Sequence, residues 1–117
     1  MRWHTEKKTV NILGTEYEAV IQSENDNPKL KECDGLCEQY SKQIVLNDCK
    51  ETEKEVMRVD NFEEYKKKVA RHEVFHAFFG ESGLRSHSDF AENETLIDWL
   101  AIQSPKIFKV FQELDIL

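Results

Sequence analysis

Long apolar runs are missing from this 117-residue sequence. No stretch approaches the ~20 residues that carry a helix across a bilayer, so no membrane partner is expected. The opening residues, Met1-Arg2-Trp3-His4-Thr5-Glu6-Lys7-Lys8, are charged and lead into no apolar segment with a small-residue cleavage site. That composition argues against a signal peptide. An excess of positive charge is missing too. Lysine and arginine number 16 against 23 aspartates and glutamates, a formal charge of -7. Contact with nucleic-acid phosphates needs clustered cations, so nucleic acid is excluded as the main partner. The one basic run, Lys66-Lys67-Lys68, follows Glu63 and Glu64 and reads as a solvated helix face. Cysteine is scarce and odd in number (Cys33, Cys37 and Cys49). This fits reduced thiols in a cytoplasmic protein better than a disulfide framework. Cys33 and Cys37 lack the tight pairing and regularly spaced fourth ligand of cysteine zinc sites, and they read as free, partly buried thiols.

What is present suits one modest hydrophobic core: 39% hydrophobic and 33% charged residues over a length typical of a single domain, taken as 1–117. The first half alternates like strands. Thr9 to Leu13 and Tyr17 to Ile21 flank a turn at Gly14-Thr15, and a polar loop from Ser23 to Pro28 follows. Gly35 to Gln39 and Gln43 to Asn47 form a second expected hairpin, turning near Ser41-Lys42. The second half has helical periodicity. Asp60 with Glu63 has the form of a capping box, which starts a helix near Asn61. Phe62, Tyr65, Val69, His72, His76 and Phe79 then form a stripe, with Glu73 at its flank and Gly80 and Gly83 as the stop. A second helix is expected after Asp89, with Glu92 in its first turn, running to about Gln103. A third is expected from Ser104-Pro105. Strands before helices predict an α+β fold, with a small antiparallel or mixed sheet followed by three helices.

The chemistry gathers in His72-Glu73-Val74-Phe75-His76. Histidines four apart on a helix project the same way and can reach one ion. The residue after the first histidine can hold a carboxylate beside them as a general base. Downstream, Glu94 and Asp98 are also four apart. If their helix packs beside the first, Glu94 can serve as a third ligand and Asp98 can accept from the remaining N–H of a ligating histidine. Arg71 is expected to face away from the metal.

His72-Glu73-Val74-Phe75-His76 followed by Asn93-Glu94-Thr95-Leu96-Ile97-Asp98 resembles the gluzincins, the thermolysin-like zinc metallopeptidases. The resemblance to zincins covers residues from about 60 to 100 and marks a minimal zincin-like core. The small size and the stretch from Arg71 to Leu84 also resemble short metallopeptidase-like proteins of phages and prophages of Gram-positive bacteria. It implies that His72, His76 and Glu94 bind Zn²⁺, that Glu73 is the catalytic base and that Asp98 supports a histidine. The implied activity is zinc-dependent hydrolysis of a peptide or protein substrate. It further implies that an edge strand, with Gln43 to Asn47 the candidate, runs along the cleft. Large members of the family add a histidine or tyrosine that stabilises the oxyanion. Here His87 and Tyr40 are available, and neither is assigned that role. The competing reading is therefore a catalytically weak or inactive zincin-like protein that acts as a protein-binding module. Glu73, which zinc binding does not require, favours catalysis. Oligomeric state is left open.

Overall fold

The computed structural model describes residues 7–50 and 61–117. The residues before Lys7 and the expected cap Asp60 lie outside the described residues. β1 (Lys8–Ile12) and β2 (Thr15–Gln22) pair antiparallel, with Val10 opposite Tyr17. Their turn sits one residue earlier than expected, at Leu13-Gly14, and both residues have positive φ (51° and 94°). That conformation matches the twist of a two-residue hairpin. Asn11 holds it by accepting from the Gly14 N–H at 2.7 Å.

β3 (Gly35–Glu38) and β4 (Gln43–Asn47) form the second hairpin. β4 also pairs in parallel with β2, Ala19 beside Ile44 and Ile21 beside Leu46. The sheet is thus mixed, in the order β1-β2-β4-β3. Gln43–Asn47 is an interior strand, and the edge strand on that side is β3. The reason is visible in β4 itself. Ile44, Val45 and Leu46 are all buried, and consecutive apolar residues suit a strand covered on both faces and paired on both edges. Ile12, Tyr17 and Ile44 pack towards the helices with Ala77. Val20 and Val45 face the other way, against Leu30 from a 3-10 turn at Pro28–Lys31.

α1 (Phe62–Glu81) lies over β3 and β4 and buries Val69, Glu73, Ala77 and Gly80. These recur at four, four and three residues, one face of a helix. The buried line is therefore rotated by one residue from the expected stripe: Glu73 lies beneath the helix, and the histidines flank it. Gly35 permits this seating. A Cβ there would stand 2.8 Å from Val69 Cγ1 and 3.1 Å from Glu73 Cγ. The helix runs through Gly80 and ends at Glu81, with Gly83 (φ 84°) as the left-handed residue after it. Glu81 ties this end to the sheet, accepting from Tyr17 Oη at 2.7 Å, Thr15 Oγ1 at 3.1 Å and Lys42 Nζ at 2.5 Å.

After the short α2 (Leu84–His87), Asp89–Glu92 forms a 3-10 turn rather than a helix start. α3 (Glu94–Glu113) begins where the Asn93 side chain accepts from the Leu96 N–H at 3.0 Å. It then continues through Pro105, so the two helices expected from Asp89 onward are one. Three helices remain among the described residues because α2 occupies a stretch expected to be loop. Proline in a helix interior leaves the carbonyl four residues back without its donor. Here that carbonyl belongs to Ala101, and Arg71 Nε donates to it at 2.6 Å. Arg71 thus points at α3, away from the histidines, as expected. No helix among the described residues is long and apolar enough to cross a membrane.

Candidate metal centre

A cleft of about 720 Å³ opens where α1, the edge strand β3 and the start of α3 meet. His72 and His76, one turn apart on α1, reach it with side chains only 16% exposed. Their ring centroids are 4.9 Å apart. Glu94, the first residue of α3, spans both. Its Oε2 lies 2.8 Å from His72 Nε2 and its Oε1 2.9 Å from His76 Nε2. On the other side of the first ring, Asp98 Oδ1 lies 3.3 Å from His72 Nδ1 and accepts from Lys68 Nζ at 3.0 Å. The Lys68 ammonium holds the Asp98 carboxyl below the usual carboxylate range. All the sequence-predicted site residues therefore converge.

The cluster turns ring nitrogens and a carboxylate towards one another. Asp98 can accept from His72 Nδ1, an arrangement that presents Nε2 to Glu94. Burial holds His76 below its ordinary pKa and His72 pushes it the same way, against the pull of Glu94. Two imidazole nitrogens and a carboxylate are a donor set that zinc prefers. Zinc bonds of ~2.0–2.2 Å set such donors about 3.3 Å apart, roughly half an ångström wider than the spacings seen here. An outward shift of the exposed Glu94 side chain would widen them, so the donor chemistry is compatible with the ion.

Two carboxylates lie near the histidine pair. Ligand atoms of His72, Glu73 and His76 lie within 4.8 Å of one another, whereas Glu94 touches both rings directly. Their surroundings separate them. Glu94 is 67% exposed. Glu73 is 7% exposed; burial pushes its carboxyl up to about 7, with His72 pulling it down and Glu94 pushing it up. A carboxyl balanced near neutrality suits taking up and releasing a proton.

The cleft wall also contains residues that the sequence reading did not place there. Tyr65, whose hydroxyl donates to Asp34, and Lys68 precede His72 by seven and four residues. That spacing on one helix face was the available signal. Lys66 and Lys67 pair with Glu63 and Glu64, whereas Lys68 belongs to the cleft; all three are only partly exposed. Arg85 lines it from α2, paired with Glu92 at 3.3 Å and donating to Gln39 Oε1 at 3.4 Å; nothing in its sequence surroundings marks it. Cys33 and Cys37 line the cleft as free thiols, and burial raises Cys37 to about 11. Tyr40 is 98% exposed, His87 is exposed, and neither lines the cleft. No family model matches the chain, and no curated protein or solved structure matches it.

Proposed function

We infer that this chain is a zinc-dependent hydrolase of peptide bonds that acts on a peptide or protein in a cytoplasmic compartment. One observation carries the reading: a single carboxylate, Glu94, spans the Nε2 atoms of His72 and His76, while a carboxylate oxygen of the buried Glu73 lies within 4.8 Å of a ring nitrogen of each histidine. His72, His76 and Glu94 would hold the ion. Asp98 fixes the His72 ring through its Nδ1–H, and Lys68 in turn fixes Asp98. Zinc in such a site supplies Lewis-acid polarisation of a carbonyl and makes water nucleophilic near neutral pH. Glu73 takes the proton of the attacking water and passes it to the departing amine nitrogen. Glu73 would be held ionised for this role by a divalent charge beside it.

β3 is the sheet edge beside the cleft, so an extended substrate can pair with its backbone. Lys68 and Arg85 are the cationic side chains on the wall and can face charge that develops on the scissile carbonyl. The test is cleavage of a mixed peptide library by zinc-loaded protein, with new amino termini read by mass spectrometry. Glu73→Gln should keep its zinc and lose roughly 10²–10⁴-fold in rate. Undiminished cleavage by that variant removes Glu73 as base. A loaded wild type that binds a protein tightly and cleaves nothing makes the chain a binding module instead.

A further inference from the structure

On the flank of α1 away from the histidines lies a second concavity, an apolar groove of about 620 Å³. α1 lies mainly over β3 and β4 and covers β1 and β2 at Ile12 and Tyr17, while Val10 further along β1 stays partly open among the described residues. Val10 and Ala19 form its floor, and Phe75, Phe78, Phe79 and Phe108 its walls. The same chain carries an apolar helix surface that the described residues leave partly open. In the last turns of α3, Ile107, Phe108, Val110, Phe111 and Leu114 share one half of the helix, counted at about 100° per residue. Lys106, Lys109, Gln112 and Glu113 share the other half. Such a division marks a helix that leans on an apolar partner, yet Phe108, Val110 and Leu114 are 51%, 49% and 63% exposed.

We propose that groove and helix are the two parts of one isologous interface between two copies of this chain. α3 of each copy lays Phe111 and Leu114 into the groove of the other, and the two-fold axis passes beside Phe108. The area agrees. A half-exposed large apolar side chain offers on the order of 100 Å², so the helix residues and groove rim together offer roughly 500 Å² per copy. A stable homodimer buries about 800 Å² per partner, of which about 65% is apolar. Charge agrees as well. Lys8 and Arg71 line the groove, while Glu113 and Asp115 stand at the end of α3, where its terminal carbonyls add partial negative charge. The interface does not depend on the metal centre, which is on the other flank.

Light scattering on size-fractionated protein at micromolar concentration should give twice the mass of one chain. Leu114→Glu and Val110→Glu replace exposed side chains and should leave a cooperatively melting fold, while weakening association at least ~100-fold, the size of a hot-spot loss. A photo-reactive residue at Phe111, in a mixture of isotopically heavy and light chains, should give heavy–light cross-links to the segment from Phe75 to Phe79 or to β1. A dimer untouched by both substitutions overturns the proposal, as do cross-links that map away from the groove. A wild-type monomer also overturns it, and leaves the groove to a lipid or to a helix of another protein.

Discussion

Glu73 is a carboxylate placed on the most buried line of its helix, at a cost to the fold in the metal-free state. Burial raises its folded pKa from 4.5 to about 7, so the folded chain favours the protonated side chain. The corresponding stability is fully present below about pH 4.5 and is lost as pH rises through about 7. At ~1.4 kcal/mol per pKa unit, the metal-free protein should lose on the order of 3 kcal/mol across that window from this group. Glu73→Gln is neutral throughout. In chelator-treated protein it should melt above the wild type near pH 8 and level with it near pH 4.5. An equal difference at both pH values would mean that the burial of Glu73 is not what sets its ionisation.

At the scale of elements, the site depends on how closely α1 is seated. Gly35→Ala places a methyl 2.8 Å from Val69 Cγ1, so the helix or the edge strand must give way. The expected loss is about 1–3 kcal/mol in urea melts, partly recovered when Val69→Ala is added. The second seating device is the bond from Arg71 to the Ala101 carbonyl that Pro105 leaves without a donor. Arg71→Met should cost about 1–3 kcal/mol by stranding that oxygen. In a Pro105→Ala background a backbone N–H takes over, and the cost of Arg71→Met should fall by at least ~1 kcal/mol. Additive effects would mean that the two features are unrelated. This pair also explains where sequence reading stops. Ser104-Pro105 has the form of a helix start, and only a side chain from another helix makes a continuous one affordable. The cap at Asn93 was hidden in a similar way, because Asp89 and Glu92 offer an equally good local pattern four residues earlier.

For the whole molecule, the candidate site's pairing of residues was legible because helical geometry is local. Residues four apart share a face whatever the helix packs against, so His72 with His76 and Glu94 with Asp98 were paired before their helices met. The α+β order was legible for the same reason, through period two followed by period three to four. Strand order was not, because the parallel pairing of β2 with β4 joins residues that only the folded chain brings together. It puts β3, rather than β4, at the edge beside the cleft. The central claim is that α1 and α3 come together to hold one divalent ion, and zinc uptake by metal-free protein tests it most directly. One ion per chain should bind. Asp98→Asn should weaken affinity about 10–100-fold, and His76→Ala or Glu94→Ala by more. A chain that takes up no zinc when zinc is in excess, or whose uptake ignores both ligand substitutions, would contradict the account.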